Sequence, residues 1–243
     1  MKIGILQPSY LPWLGYFEQI ANTDVFVLYD DVQYDKNSWR NRNRIKTDKG
    51  AQWLTVPVLY QFRDRPQIRE IEILPDSGWS RKHLDSIRLH YRKAPHFERY
   101  FPDLEKILGK KYKLLLDLDL AVIRWFLDCL GLRCSLHLSS ELGVKGDKNE
   151  RLIKICQHFG ADWFYEGAAG KNYLKESLFQ NAGIRVEYQD YQHPIYPQLH
   201  GNFVPYLSTL DLLLNCGAES LKIILGNKPT SWKTGWSLSG VRS

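Results

Sequence analysis

Apolar and polar residues alternate along the chain in patterns that predict an α/β fold. An apolar run from Lys2 to Leu6 predicts a strand, and a loop with two prolines, a helix from Gly15 to Ala21 and a second strand from Val25 to Tyr29 follow it. Strand, loop, helix and strand within about thirty residues is the sequence form of a βαβ unit, so we expect these two strands to be parallel and adjacent. Ligands of such sheets bind at the carboxyl ends of the strands.

The same patterns divide the rest of the chain. Strands are predicted at Trp53–Val58 and Ile68–Ile73, and from Ser80 to about Leu132 the apolar residues recur at helical spacing. Strands are then predicted at Cys134–Leu138, Trp163–Tyr165 and Ile184–Tyr188, and helices at Asn149–Phe159, Tyr173–Ala182, Leu207–Leu214 and Ser220–Leu225. We therefore expect a mainly parallel sheet whose core comprises residues 1–75 and 133–225, a helical insertion or subdomain at 76–132, and a mobile tail at 226–243.

The composition is that of an ordinary folded protein. Hydrophobic residues make up 44% and charged residues 25%, which excludes a disordered or low-complexity polymer. The longest apolar stretch, Leu114 to Leu132, cannot serve as a membrane span, because four charged residues interrupt it: Asp117, Asp119, Arg124 and Asp128. No export signal is recognisable, and the four cysteines form no CxxC pair and no zinc-ligand spacing. We expect a soluble, cytoplasmic protein with reduced thiols that form no zinc site.

A positively charged segment follows the second strand. The net charge is +6, and residues 36–49 carry six basic side chains against the single acid Asp48: Lys36, Arg40, Arg42, Arg44, Lys46 and Lys49. On an extended backbone, the alternation of Arg40, Arg42 and Arg44 with Asn41 and Asn43 directs three guanidinium groups to one side. The segment predicts a site for phosphate or another anion. A solvated charged surface is the alternative.

The loop from Gln7 to Trp13 is a second candidate. Gly15 would let the backbone approach a ligand closely, and the start of the helix offers unpaired N–H groups to an anion. This strand, loop and helix resemble those of the nucleotidyltransferase superfamily, which implies a Rossmann-like (nucleotidyltransferase- or HUP-like) fold. That family holds nucleotide phosphates with loop histidines, and Trp13 or Tyr16 would have to replace them here. A tight turn that packs aromatic side chains against the core is the alternative.

Two adjacent carboxylates, Asp30 and Asp31, end the second strand. They could share a metal ion, or one could act as a base if burial or its neighbour raised its pKa. We expect one of them to point away, because adjacent side chains of a strand face opposite ways. Solvation in a loop is the alternative. We further expect the Gln7–Trp13 loop and the basic segment to converge over the same end of the sheet and to form one cavity there.

Several long motifs in a fixed order resemble the WbqC-like protein family. They are Gln7-Pro8-x-Tyr10-x-Pro12-Trp13-x-Gly15-Tyr16-Phe17, Asp30-Asp31-Val32-Gln33-Tyr34-x-Lys36, Trp39-x-Asn41-Arg42-Asn43-x-Ile45-Lys46, Trp53-Leu54-Thr55-Val56-Pro57-Val58 and His193-Pro194-x-Tyr196-x-Gln198. The resemblance spans nearly the whole chain. It implies an association with O-antigen and related surface-polysaccharide gene clusters, and a role as a glycine (aminoacyl) transferase that decorates a sugar.

Two later segments supply further candidates. His193 precedes a proline and therefore lies on extended loop backbone, where its ordinary pKa of about 6.5 suits proton transfer. A core or surface histidine is the alternative. Ser208 can cap the helix that follows, with Asp211 completing a capping box, and a nucleophilic serine is the alternative, although no G-x-S-x-G motif surrounds it. Residues 139–151 enter a helix with two Gly, two Lys including Lys148, and an Arg, which suits an anion at the helix start, whereas ordinary loop residues are the alternative.

The leading hypothesis is a transferase that uses a phosphate-bearing activated donor and a sugar acceptor. Asp30, Asp31 or His193 would move the proton, and no cofactor is indicated. The predicted substrate-binding residues are Gln7, Tyr10, Trp13, Gly15, Tyr16, Lys36, Trp39, Arg40, Asn41, Arg42, Asn43, Arg44, Lys46, Lys148, Tyr196, Gln198 and Ser208. Nucleotidyl transfer on the same fold is one alternative. A non-catalytic protein that binds nucleotide-sugars or nucleic acid is another, although nucleic-acid domains usually carry a larger basic surface.

Overall fold

Five parallel strands form the centre of the protein in the computed structural model, which describes residues 1–36, 38–60 and 65–226. In chain order the strands are β1 (Lys2–Leu6), β2 (Val25–Leu28), β3 (Arg42–Thr47), β4 (Gly50–Thr55), β5 (Val58–Leu59), β6 (Glu72–Ile73), β7 (Ser135–Leu138), β8 (Trp163–Glu166) and β9 (Arg185–Tyr188). The central sheet has the order β7-β2-β1-β8-β9, and β3–β4 and β5–β6 are antiparallel pairs. The predicted parallel pairing of β1 with β2 is confirmed.

Helices cover both faces of this sheet. They are α1 (Leu14–Ala21), α2 (Trp79–Tyr91), α3 (Phe97–Leu108), α4 (Leu115–Leu130), α5 (Lys148–His158), α6 (Glu176–Asn181), α7 (Thr209–Cys216) and α8 (Ser220–Leu225). Ile3 and Ile5 of β1 pack with α5 and α6 on one face, whereas Phe26 of β2 packs with α1 and α4 on the other. A Cβ on Gly4 would lie 2.8 Å from the Phe26 ring, so glycine makes room for that ring in the core. The predicted α/β fold with a central parallel sheet is therefore confirmed.

The long excursion between β2 and β7 packs on the α1 face. Its helices α2, α3 and α4 share one hydrophobic cluster with α1, α7 and α8. The ring centroids of Phe17 in α1 and Phe126 in α4 are 5.2 Å apart. The β3–β4 hairpin adds Ile45 and Leu54 to the same cluster. The hairpin is thereby packed on the α1 face, next to the loop that follows β1.

Three predicted elements differ from the structure. Residues Ile68–Glu70 form a 3-10 turn instead of a strand, because the Glu70 carboxylate accepts the Gln67 N–H at 2.8 Å and closes the turn. The predicted strand around Trp53 is divided into β4 and β5 at Pro57, which has no N–H to donate to a ladder. The helix predicted from Tyr173 begins only at α6. The boundaries at 75, 132 and 225 stay a prediction, and residues 227–243 of the predicted tail lie outside the described part of the chain.

Within the described residues, no helix combines the length and the apolar character needed to cross a membrane. The four cysteines are free, as the sequence predicts for reduced thiols.

Candidate functional site

The order of the sheet reverses between β1 and β8. After β1, the chain adds β2 and then β7 on one side of β1, and it then adds β8 and β9 on the other side. In open parallel sheets a crevice forms outside the carboxyl ends of the strands at such a reversal, and ligands bind there. The side chains at or just beyond the carboxyl ends of β1, β2, β7, β8 and β9 therefore define the candidate site. They are Gln7, Asp30, Asp31, Ser139, Ser140, Glu166 and Gln189.

The acidic pair is engaged by serines from the neighbouring strand. The fully buried Asp30 accepts hydrogen bonds from the Ser140 N–H at 3.0 Å and the Ser140 hydroxyl at 2.6 Å. The Ser139 hydroxyl lies 3.0 Å from Asp30 Oδ1 and 2.5 Å from Asp31 Oδ1. The expectation that one carboxylate points away is therefore wrong, because the backbone leaves the strand at this point and no longer alternates. Both groups connect the end of β2 to the end of β7.

Asp31 also forms an ion pair with Arg151 of α5. The Arg151 Nε donates to the Val144 carbonyl at 3.1 Å, and its guanidinium lies 5.0 Å from the Tyr29 ring centroid. These contacts fix the start of α5 against the carboxyl edge of the sheet, which is the edge where the parallel strands end. Lys148, the first residue of α5, is exposed there, and the preceding Asp147 makes no side-chain cap of the helix. This helix start has no side-chain cap and carries Lys148 beside the acidic Asp147 and Glu150, so its unpaired N–H groups and the positive end of the helix dipole are what it offers to an anion.

Glu166 is the last residue of β8, and the pKa of its carboxyl group is raised. Its side chain is 4% exposed, and burial raises the pKa from 4.5 to about 7. One oxygen accepts the Gly167 N–H at 2.8 Å, and this contact opposes the rise only in part. A carboxyl group with a pKa near neutrality can both accept and return a proton at physiological pH.

Tyrosines and a glycine surround Glu166. The charge of Glu166 contributes to the raised pKa values of both Tyr173 and Tyr188. Tyr173 is 55% exposed and borders the group on the solvent side. A Cβ on Gly170 would lie 2.3 Å from Glu166 Cγ, so the glycine leaves the space that this side chain occupies. Phenolic hydroxyls and a titrating carboxyl group are thus brought together at the reversal of the sheet.

On the α1 face the edge is closed by a buried network. The Glu18 carboxylate accepts hydrogen bonds from the Tyr165 hydroxyl at 3.1 Å and from the Gln189 amide at 2.6 Å. The same Gln189 nitrogen donates to the Gly15 carbonyl at 2.8 Å. Glu166 lies on the opposite face of the sheet, where its charge contributes to the raised pKa of Cys156 in α5. Gln7 is half-buried between the two faces, at the end of β1.

The loop after β1 packs aromatic side chains instead of presenting the start of α1. Every residue of α1 is buried, and a Cβ on Gly15 would lie 2.2 Å from the Trp13 indole. The indole also contacts Tyr191 and Tyr206, with ring centroids 5.5 and 6.0 Å away. Tyr10 is buried and its hydroxyl lies 2.9 Å from His83 Nδ1. The alternative interpretation of a tight aromatic turn describes this loop.

The loop and the basic segment converge, as we expected, and the cavity that we expected them to form stays a prediction. The Tyr10 N–H donates to the Arg40 carbonyl at 3.0 Å, and the Asn43 amide donates to the Leu11 carbonyl at 2.6 Å. The Asn41 amide donates to the Val56 carbonyl at 2.8 Å. Both asparagine side chains are buried and tie backbone segments together.

The guanidinium groups do not all face one side. Arg42 and Arg44 share the outer face of the hairpin with Trp53, and Trp39 lies beside them. Arg40 precedes β3, and its Nε and Nη1 are buried with no hydrogen-bond partner among the described residues. The same is true of Tyr16 Oη and both carboxylate oxygens of Asp119. Burial raises the pKa of Asp119 well above its usual value and lowers that of Arg40, while each charge opposes the shift of the other.

The remaining predicted residues hold the segment between β9 and α7. The buried Lys46 ammonium donates to the carbonyls of Gly201 and Asn202 at 3.2 and 2.6 Å. The Gln198 amide donates to Asp211 Oδ2 at 2.8 Å, and the Asp211 charge contributes to the raised pKa of the buried Tyr196.

Ser208 caps α7, since its hydroxyl accepts the Leu210 N–H at 3.2 Å. The predicted capping box is wrong, because the Asp211 carboxylate accepts from Tyr91 and Gln198 instead.

His193 uses both ring nitrogens inside the protein. Nδ1 donates to the Pro194 carbonyl at 2.9 Å, and Nε2 accepts the Tyr206 N–H at 3.1 Å. Partial burial lowers the pKa of this imidazole, so the neutral form is the one built into the loop. The exposed Lys36 makes no such contact among the described residues, and no group of three or more His, Cys, Asp or Glu in that part of the chain is placed to hold a metal ion.

Two groups were missed at the sequence level. Glu166 follows the apolar run Trp163-Phe164-Tyr165 and precedes Gly167, so a carboxylate at the end of a predicted parallel strand was the available signal. Asp119 was noted only as an interruption of an apolar stretch. Its approach to Arg40 depends on how α4 packs against α1, and no local pattern reports that packing.

Comparison with known proteins gives one family and one curated relative. The sequence profile of the WbqC-like protein family matches residues 7–223. An uncharacterized protein of Mycobacterium tuberculosis is 38% identical over 221 residues, which are 90% of this chain and 95% of the relative. No solved structure matches the chain significantly.

Proposed function

The chain belongs to the WbqC-like protein family, and on that premise we propose that it is a cytoplasmic transferase whose active site lies at the carboxyl edge of the sheet, with Glu166 as the general base. The observation that carries the proposal is the position of Glu166, a buried carboxyl group with a pKa of about 7, at the strand-order reversal. The strand order also supports a Rossmann-like assignment.

The reaction we propose is transfer of an aminoacyl group, glycine or a related one, to a sugar in surface-polysaccharide assembly. A hydroxyl or amine of the sugar attacks the acyl carbon of the donor while Glu166 takes its proton. The bond between the acyl carbon and the phosphate-bearing leaving group breaks, and the leaving group keeps the electron pair. The start of α5 and Lys148 would hold the phosphate.

Glu166 is a better base than the three groups named from the sequence. Asp30 and Asp31 accept hydrogen bonds from serines, and Asp31 also pairs with Arg151. His193 has both nitrogens engaged. We propose that these groups position the edge and the loop. Nucleotidyl transfer through the first loop has less support, because the start of α1 is buried under Trp13.

A transfer assay tests the proposal. The purified protein is incubated with aminoacyl-adenylate, nucleoside triphosphate and nucleotide-sugar donors and with a mixture of acceptor sugars, and products are detected by mass spectrometry. General-base catalysis contributes about 10²- to 10⁴-fold, so Glu166→Gln should lose at least about 100-fold in kcat. Lys148→Ala should raise the KM of the donor and leave kcat nearly unchanged.

Glu187→Gln is the matched control. Glu187 lies on the adjacent strand β9 and pairs with Lys2. This variant should keep full activity. A fully active Glu166→Gln variant would refute the assignment of the base, and release of pyrophosphate from a nucleoside triphosphate would select nucleotidyl transfer instead. Ligand binding without turnover in the wild type would indicate a non-catalytic protein.

A further inference from the structure

Two tryptophan side chains lie on the outer surface of the β3–β4 hairpin. Trp39 is 41% exposed and Trp53 is 43% exposed, and their ring centroids are 5.2 Å apart. Isolated exposed apolar residues are ordinary, but two large aromatic rings in contact form a surface that can stack against a flat ligand. Neither ring is needed to fill the core beneath the hairpin, which Ile45 and Leu54 occupy.

The register of the hairpin places cations on the same face. Arg44 is opposite Trp53 and Arg42 is opposite Thr55, and directly opposed residues share a face. The Arg42 and Arg44 guanidinium carbons lie 4.4 and 5.6 Å from the Trp53 ring centroid. Flat apolar surface and positive charge are therefore adjacent, which suits a ligand that has a planar ring and an anionic group.

A groove beside Trp53 gives such a ligand a place to bind. It has a volume of about 490 Å³ and lies between β4 and α2. Trp53 and Trp79 supply its aromatic lining, Thr55 and Ser77 supply hydroxyls, and Lys82 supplies a positive charge. Small-molecule sites have volumes of about 300–1,000 Å³, so the groove is the size of a single small ligand.

We propose that this groove binds a nucleoside phosphate, with the base on the indole rings of Trp53 and Trp79 and the phosphate on Lys82. Stacking on an aromatic ring accepts any base, because every base has a π-face. Lysine binds phosphate as a point charge, and Lys82 is the lysine that lines the groove. The site contains no residue of the carboxyl edge, so this inference goes beyond the proposed transfer reaction and can fail without it.

Isothermal titration calorimetry of the full-length protein with AMP, UMP and ribose 5-phosphate tests the proposal. Both nucleotides should bind, and ribose 5-phosphate should bind at least about tenfold more weakly because it has no base to stack. Trp53→Ala should weaken nucleotide binding about tenfold or more, whereas Trp53→Phe should keep most of it. Lys82→Ala should weaken all three ligands and reduce the salt dependence of binding.

Arg185→Ala is the matched control, because Arg185 lies 4.7 Å from the Trp163 ring centroid at the amino end of the sheet, away from the hairpin. It should bind nucleotides like the wild type. Circular dichroism verifies folding, and if Trp53→Ala does not fold, Trp53→Phe and Lys82→Ala carry the test.

Four results would overturn the proposal. Three of them are no nucleotide binding at millimolar concentration, equal affinity for ribose 5-phosphate, and wild-type affinity in both Trp53→Ala and Lys82→Ala. The fourth is a six-nucleotide RNA that binds 100-fold more tightly than UMP, since the surface would then serve a nucleic-acid strand.

Discussion

Replacing Glu166 with glutamine should stabilise the protein above neutral pH. Burial raises the pKa of Glu166 from 4.5 to about 7 in the folded state. Below pH 4.5 the carboxyl group is protonated in both states. Between pH 4.5 and about 7 the carboxyl group loses its proton in the unfolded chain but keeps it in the folded state, so the free energy of unfolding falls as the pH rises. Above pH 7 the wild type carries the full cost of the buried charge.

The size of the effect follows from the two pKa values. The difference between 4.5 and about 7 corresponds to about 3 kcal/mol, at about 1.4 kcal/mol for each pH unit. Glutamine has nearly the same shape, and its carbonyl oxygen can still accept the Gly167 N–H. Glu166→Gln should therefore exceed the wild type by up to about 3 kcal/mol at pH 8 and differ little at pH 4.

Urea unfolding followed by circular dichroism between pH 4 and pH 9 measures this difference. Glu187→Gln serves as the control, because its partly exposed pair with Lys2 should contribute less than about 1 kcal/mol. A Glu166→Gln variant whose stability relative to the wild type did not change with pH would refute the reasoning. So would a variant less stable than the wild type at pH 8.

Three further predictions concern the elements around the site. Gly15→Ala should destabilise the protein by about 1–3 kcal/mol in denaturant unfolding, because the added Cβ clashes with the Trp13 indole. The same substitution should cost much less in a Trp13→Ala variant, and an equal cost with and without the indole would contradict this. The lowered pKa of His193 means that its stabilising contribution is lost as the pH falls below about 6.5. The protection factor of the Tyr206 N–H, which is its intrinsic exchange rate at each pH divided by the observed rate, should therefore decrease below that pH, and a protection factor that stayed constant would disprove this. Ser208→Ala should cost about 1 kcal/mol of unfolding free energy while Ser208→Thr costs less, and identical losses would exclude the capping role.

The main sheet was predictable because its strands and helices carry strong local patterns. The alternation of Ile3, Gly4 and Ile5 and the helical spacing in α4 and α5 are produced by the two buried faces of the sheet. The turn at Ile68–Glu70 was not predictable in the same way, because buried residues at 68, 71 and 73 resemble a strand as much as a turn. The reversal of strand order arises because β8 pairs with β1, which is distant in the sequence. The short apolar run of β8 predicts a strand but does not specify which strands lie beside it.

The candidate site was predictable only in part. The convergence of the loop after β1 with the basic segment followed from their order, and the contact of Tyr10 with Arg40 confirms it. The roles within that region did not follow, since Arg40 is buried beside Asp119 whereas Arg42 and Arg44 face outward. Glu166 became a candidate only when the neighbours of β8 and the burial by the Gly167–Gly170 turn were known.

A titration of the Glu166 carboxyl group tests the central claim most directly. Carbon-13 NMR of protein labelled at glutamate side chains, with Glu166→Gln to assign the signal, reports its midpoint without any substrate. A midpoint of about 7 is the result that a base at the reversal of the sheet requires. A midpoint near the ordinary value of about 4.5 would contradict the assignment of Glu166 as the proton acceptor.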